Sequence, residues 1–238
     1  MRFYLVRHGQ TEWNIEGKVQ GKTDIALNET GLLQARLLAG ALSDCGASCV
    51  YTSTLKRAGQ TAEEIAEETG IPVIASGDLR EADFGLWEGM TWEEIARDFP
   101  QTAAQWEKTP ALVTPDGGES PEECRRRCRR IVERIASEAG GGGKDSSGRS
   151  GGEGGRDSRG RSGGGGRESV IVVAHGRILV FVMGYLLRRQ EDKPELITKN
   201  ASISVIDYDA GTGVGELLTL NDCSHLDGLA GGKRGRYC

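Results

Sequence analysis

The sequence predicts an α/β protein of three layers (α/β/α) around a mixed, mostly parallel central sheet. Three observations point there. Short apolar runs alternate with helical patterns along the chain, the order that builds parallel strands joined by covering helices. One run, Ser169 to Ala174 (SVIVVA), is almost wholly apolar, as a strand covered on both faces must be. The last two runs alternate around the turn-rich stretch Ala210 to Gly215 and predict a hairpin, which makes the sheet mixed.

The elements follow in order. Met1 to Val6 reads as a short buried strand, and Gln20 to Thr30 as a polar loop. Asn28 or Thr30 is the expected cap of a helix running to about Ser43, with Leu32, Ala35, Ala39 and Leu42 on one face. Ala47 to Ser53 is a second strand. Thr54 to Gly70 is a helix, opened by Ser53 or Thr54 and stopped by glycine. Ile71 to Ser76 is a third strand. An irregular stretch follows that holds Trp87, Trp92 and Trp106, with short helical pieces near 91–98 and 102–108. These tryptophans are candidates for core packing or for the wall of a partly apolar pocket. Gly117 to Ala139 contains a helix with Pro121 in its first turn, where a missing N–H costs little. Gly176 to Arg189 is a buried helix, and Ser202 to Asp209 and Gly215 to Asp222 are the hairpin strands.

Length and composition bound the rest. The 238 residues suit a single domain spanning 1–238. Hydrophobic content is low at 37% and glycine is high at 36 residues, but much of that bias is local. Residues 140–167 are half glycine and contain no apolar side chain. Such a segment cannot offset its ordering entropy by burial, and it is expected to be a disordered loop insertion. Closure entropy rises only logarithmically with loop length, so the insertion is tolerable. The basic tail 227–238 is expected to be flexible.

Net charge is −5, so no global basic field recruits nucleic acid. No run of 18 apolar residues exists to span a membrane. Phe3 to Val6 is too short for a signal-peptide core, so the expected setting is cytoplasmic, with reduced thiols. Cys124 and Cys128 join Ile131 and Ile135 in one helical stripe and read as core. Cys45 and Cys49 flank a helix-to-strand loop and read the same way. With only three histidines in the chain, no metal site is expected.

Chemistry concentrates where strands end. The stretch LVRHGQTEWN carries the first strand into Arg7, His8 and Gly9, and VVAHGRI carries the central strand into His175 and Gly176. Ligands of open α/β sheets bind outside the carboxyl ends of strands, so neighbouring strands here would turn two histidines toward one crevice. Arg57 sits early in the helix after the second strand, where the helix N-terminus itself favours anions. Arg7, Arg57 and two histidines form a cationic set suited to a phosphoryl group. Glu81 follows the third strand and can reach the same crevice, which adds a candidate general acid. His225 reads as a surface or packing residue.

Taken together, LVRHGQTEWN, YTSTLKRAGQTA, LREADFGLWEG, GGES and VVAHGRI resemble the motif set of the histidine phosphatase superfamily, the phosphoglycerate mutase-like fold. The resemblance runs in order from Arg2 to about Leu226. It implies that His8 is the nucleophile that becomes phosphohistidine. It implies that Arg7, Arg57 and His175 clamp the phosphoryl oxygens, and that Glu81 protonates the leaving alkoxide and then deprotonates water. It also implies that Asn14 contacts the phosphate, that Gln20, Gly21 and Thr23 line the entrance, and that Gly176 belongs to the substrate site. No cofactor and no metal is implied, and the partner is a small phosphorylated metabolite. Oligomeric state stays open. Gly59 departs from the pattern, in a place where the family has a bulkier residue, and is expected to loosen its helix.

Within the family the expectation is a phosphatase of the kind that includes α-ribazole and broad-specificity phosphatases. The mutases carry a long basic insertion after the FGxWEG region, whereas Met90 to Asp116 is short and holds only Arg97 and Lys108 as bases. A cofactor-dependent phosphoglycerate mutase is the first alternative. A phosphate-binding module without catalysis is the second.

Overall fold

A computed structural model describes residues 1–140, 168–188 and 196–229. Six strands form one sheet: β1 (Arg2–Arg7), β2 (Ala47–Ser53), β3 (Val73–Ser76), β4 (Ser169–Ala174), β5 (Ile203–Asp209) and β6 (Val214–Asp222). Their order is β3-β2-β4-β1-β5-β6. The first four run parallel, while β5 is antiparallel to β1 and β6 to β5, so the sheet is mixed as expected. β4 lies between β2 and β1 and is buried along its whole length, which explains its lack of polar alternation.

Side chains alternate across the sheet. Ile171 and Val173 of β4 join Val6, Val50, Leu38, Leu42 and Ile65 on one face. That face is covered by α2 (Glu29–Leu42) and α3 (Lys56–Thr69), while the shorter helices α1 (Glu12–Ile15), α4 (Trp92–Asp98) and α5 (Pro100–Lys108) lie in the connecting segments. Val170 and Val172 join Phe3, Leu5, Ile131, Ile135 and Leu179 on the other, covered by α6 (Pro121–Gly140) and α7 (Gly176–Leu187). Cys124 and Cys128 are fully buried in this second core, as their stripe predicted. The cysteines among the described residues form no disulfide, and no metal-holding cluster occurs among those residues.

Two details differ from the sequence expectation. Of the two expected candidates Asn28 caps α2, but Leu38 rather than the half-buried Leu32 completes its core face. α3 starts later, with Leu55 as an N-cap whose apolar side chain makes no capping bond. Asp24 Oδ1, from the preceding loop, takes the Lys56 N–H at 2.7 Å instead, so the cap is tertiary and left no local signal. β2 spans the expected residues, with Cys49 inside it.

Trp87, Trp92 and Trp106 cluster around Trp87, with ring centroids 5.5–5.9 Å apart. Trp87 is core, and its indole N–H donates to Asp116. Of the 140–167 segment only Gly140 is described, as the last residue of α6, and residues 230–238 of the tail also lie outside the described residues.

α3 passes through Gly59 without a break, and a Cβ there would meet nothing within 4 Å. The expected loosening is therefore not observed. Gly59→Ala should raise stability by about 0.5–1 kcal/mol, through the helix preference of alanine and a smaller unfolded-state entropy. Chemical denaturation checks this. An unchanged or lower midpoint would mean that the site is constrained in a way its open surroundings do not show.

Candidate active site

Parallel pairing of β1 with β4 places Arg7 opposite Ala174, so the chain emerges from both strands at the same level. The next residues are His8 and His175, whose ring centroids stand 5.1 Å apart. The crevice inferred from the sequence is thus formed by two adjacent strand ends at the middle of the sheet.

His8 is buried, and its Nδ1 lies 2.7 Å from the Gly9 carbonyl oxygen. A carbonyl only accepts, so Nδ1 carries the hydrogen and Nε2 carries the lone pair. Burial first, then the charges of Arg57 and Arg7, hold the imidazole well below its usual pKa of 6.5. The ring is therefore neutral. Gly9 itself has no room for a side chain, since a Cβ would stand 2.5 Å from the Gly31 carbonyl oxygen of α2.

His175 is fully buried and neutral for the same reasons, with burial the largest. Its Nδ1 accepts from Arg57 Nε at 3.2 Å, so its Nε2–H donates to Ser53 Oγ at 2.8 Å. Both nitrogens are engaged, and a hydrogen bond to a phosphoryl oxygen would exchange one of these partners. Arg57 is fixed at all three nitrogens, since Nη1 and Nη2 donate to the Thr23 and Gly21 carbonyls at 2.8 Å each. Burial pulls its pKa to about 10, which leaves it charged at neutral pH. Arg7 donates through Nη1 to the Thr198 carbonyl and lies against Gly176, where a Cβ would be 3.6 Å from its guanidinium carbon.

Glu81 reaches the N-terminus of α7. His175, the N-cap residue there, makes no capping bond with its side chain. The Glu81 carboxylate takes the role, accepting the N–H groups of Arg177 at 3.2 Å and Ile178 at 3.3 Å, with Ala82 at 2.9 Å. One carboxylate thereby joins the turn after β3 to the helix after β4.

The entrance is knotted by a residue that the sequence did not single out. Glu88 accepts from the backbone N–H groups of Lys22, Thr23 and Phe84 and from the Thr23 hydroxyl. Gly21 has φ +53° and no space for a Cβ, because Glu88 Oε1 would stand 2.0 Å away. The Thr23 side chain is thus spent on Glu88. Gln20 is buried, and its Oε1 meets no protein partner among the described residues.

Asn200 is the second residue missed. Its Nδ2 lies 3.0 Å from the His8 carbonyl oxygen, 3.2 Å from that of Gly9 and 3.2 Å from Asn14 Oδ1. It holds the same carbonyl that fixes the His8 tautomer. Asn14 Oδ1 also accepts from Thr11 N–H and Oγ1, which orients the Asn14 amide. The next residue, Ala201, is buried at φ +54° and gives its N–H to the carbonyls of Arg7 and His8. His225 Nε2–H donates to the Ala201 carbonyl at 2.9 Å, a packing role as expected.

Arg7, His8, Asn14, Gln20, Gly21, Arg57, Glu81 and Gly176 line one cleft of ≈ 840 Å³. His175 and Thr23 are not among its lining residues. Trp13, Trp92, Trp106, Phe181 and the exposed Lys108 line the same cleft. Of the two bases between Met90 and Asp116, Arg97 pairs with Asp98 at 2.7 Å and lines no part of the cleft.

Comparison with known proteins adds four findings. Residues 3–143 match the profile of the Histidine phosphatase superfamily (branch 1). Phosphoserine phosphatase 1 of Hydrogenobacter thermophilus is 38% identical over 135 residues, which are 57% of this chain and 64% of that protein, so the match spans less than two thirds of this relative. Glucosyl-3-phosphoglycerate phosphatase of Mycobacterium tuberculosis is 33% identical over 188 residues, 79% of this chain and 75% of that protein. A solved structure of a mycobacterial glucosyl-3-phosphoglycerate phosphatase with VO3 superposes with a TM-score of 0.76 at 30% identity, covering 92% of this chain and 98% of the other.

Proposed function

The chain belongs to the histidine phosphatase superfamily, branch 1, and from that premise we propose that it hydrolyses small phosphate monoesters through a phosphohistidine on His8, without a metal or other cofactor. The observation that carries this is the neutral His8 ring, with its hydrogen on Nδ1 and its lone pair on Nε2, set at the floor of a cleft between Arg7 and Arg57.

In the first displacement His8 Nε2 attacks phosphorus and the ester P–O bond breaks. Glu81 gives its proton to the leaving alkoxide. In the second, water attacks the phosphoryl group, Glu81 takes a proton from it, and phosphate leaves with His8 restored. Two displacements replace one harder step. Arg7 and Arg57 balance the charge on the equatorial oxygens, and Arg57 does so from a position already fixed by three hydrogen bonds. His175 supports this by orienting Arg57 and enters the phosphoryl contact by exchanging Ser53 for a phosphoryl oxygen. Asn14, Gln20, Gly21 and Gly176 complete the substrate site, and Thr23, which does not line the cleft, supports it through its carbonyl bond to Arg57. The single-domain reading and a cytoplasmic setting belong to the same proposal. No helix among the described residues is long and apolar enough to cross a membrane.

Release of phosphate from p-nitrophenyl phosphate in the presence of a chelator tests the reading. No release from this or any monoester of a metabolite panel would favour the binding module. A short, base-poor outer wall favours hydrolysis over phosphoryl return to glycerate. Bisphosphate-dependent conversion of 3-phosphoglycerate to 2-phosphoglycerate would replace the phosphatase with the mutase. Glu81→Gln should slow esters of poor leaving groups at least tenfold more than p-nitrophenyl phosphate, whose leaving group needs little protonation. Equal losses on both would remove Glu81 from the acid role.

A further inference from the structure

The mechanism uses Arg57 as a fixed clamp, and what fixes it begins with a residue outside the cleft. Arg57 Nη2 donates to the Gly21 carbonyl and Nη1 to the Thr23 carbonyl, each at 2.8 Å. The Gly21 carbonyl shares a peptide unit with the Lys22 N–H, and that N–H donates to Glu88 Oε1 at 2.9 Å. One rigid peptide plane therefore carries a carboxylate at its N–H end and a guanidinium at its C=O end. Glu88 Oε2 accepts the Thr23 N–H at 3.0 Å and the Thr23 hydroxyl as well. The residue that supplies the second carbonyl is thus held by the same carboxylate.

Space and polarity both enforce this path. A Cβ on Gly21 would meet Oε1, Cδ and Cγ of Glu88 at 2.0, 2.4 and 2.8 Å, so the Glu88 side chain lies directly against the backbone that holds Arg57. The Phe84 N–H, at 3.1 Å from Oε1, ties the same carboxylate to the segment that carries Glu81. An N–H that donates to a carboxylate polarises its peptide and makes the carbonyl oxygen a stronger acceptor, here for the guanidinium. Arg57 continues the chain through Nε to His175 Nδ1 at 3.2 Å. Burial presses Arg57 toward loss of its charge, and the carboxylates Glu81, Asp24 and Glu88 act against that pressure. Glu88 is not among the residues lining the cleft, so its effect on an ester passes through Arg57.

We propose that Glu88 is the positioning residue of the phosphoryl clamp: through the Gly21–Lys22 peptide and the Thr23 carbonyl it sets where the Arg57 guanidinium stands. This rests on the phosphatase reading and adds to it the residue that prepares Arg57 for the equatorial oxygens. Donors already aimed at the place where charge develops need no reorganisation during the reaction, and a donor displaced by a fraction of its bond length loses much of that effect.

A double-mutant cycle tests this, because residues that act through one another are not additive. Glu88→Gln keeps the size of the side chain and removes its charge and one acceptor oxygen. It should lower kcat/KM for p-nitrophenyl phosphate by about tenfold or more in the otherwise unaltered chain. Where Arg57→Gln has already removed the clamp, the further loss should be about twofold or less. Equal losses in the two backgrounds are what a carboxylate that merely braces the fold would give. That outcome, or no loss in the unaltered chain, overturns the proposal. Glu88→Asp, which retracts the carboxylate by one methylene, must show the same non-additivity, and Arg57→Lys, which keeps a charge but not the fork, closes the cycle if Arg57→Gln does not fold. Calorimetric binding of inorganic phosphate reads the clamp without turnover. Glu88→Gln should weaken it by about tenfold, and an unchanged affinity overturns the proposal whether or not p-nitrophenyl phosphate is hydrolysed. Failure of that hydrolysis by the unaltered chain counts only against the phosphatase reading.

Discussion

Replacing His8 with alanine is expected to lower turnover by on the order of 10⁴-fold or more, because removal of a covalent nucleophile leaves only binding and electrostatic residues behind. The fold should survive, since the substitution removes a neutral ring at the cleft floor and leaves the β1 ladder and the backbone bonds of His8 to Ala174 and Asn200 in place. The measurement is twofold. Steady-state phosphate release should vanish, and so should the acid-labile, alkali-stable phosphoprotein trapped from the unaltered chain by rapid denaturation. A phosphoprotein that persists in His8→Ala would move the nucleophile elsewhere. Loss of turnover without any trapped species in the unaltered chain would leave direct attack by water as the better mechanism.

Stability should fall steeply when the pH drops below about 6.5. An imidazole in an unfolded chain takes up a proton near that value. In the folded chain His8 and His175 are held well below it by burial and by Arg57, with Arg7 adding to both, and His225 is lowered by burial. Below pH 6.5 the unfolded state therefore binds protons that the folded state refuses. Linkage then removes about 1.4 kcal/mol of stability per pH unit for each such histidine, down to its folded pKa. Above pH 7 these groups are neutral in both states and contribute no slope. Denaturation midpoints measured from pH 8 to 5 should be level at first and then decline. The lowered carboxylates Asp83, Glu119 and Asp209 act only nearer pH 4 and do not mask this window. A level profile down to pH 5 would mean that the histidines protonate freely in the folded protein, and the neutral nucleophile would lose its basis.

The part of the site that was legible in the sequence lies where a local pattern and a chemical type coincide. An apolar strand that stops at Arg7-His8-Gly9 announces a buried, rigid mount for a reactive group, and the same grammar repeats at His175. Arg57 stands out because a cation early in a helix opposes the helix dipole and needs a reason to be there. Ser53, Glu88 and Asn200 carry no such mark. Ser53 looks like a helix cap, and its hydroxyl instead meets both Leu55 N–H and His175. Asn200 sits in an ordinary polar stretch before β5, and only the antiparallel return of β5 beside β1 brings it under His8. The same limit applies to the fold. Element order and the central place of β4 follow from periodicity, whereas the cap on α3 comes from Asp24, 32 residues away in sequence. Hydrogen bonds between elements are set by topology, and a window of neighbouring residues does not contain them.

The Glu88 knot has a thermodynamic consequence for substrate entry. A loop that must fold over its ligand loses backbone freedom at the moment of binding, at roughly 1–2 kcal/mol for each residue ordered. Here the loop at Gly21 to Thr23 is already pinned by one carboxylate on its outer side and by Arg57 on its inner side. That entropy is surrendered once, when the chain folds, and not again with each ester that arrives. Weak phosphate contacts can then be read as selectivity rather than being consumed in closing a lid.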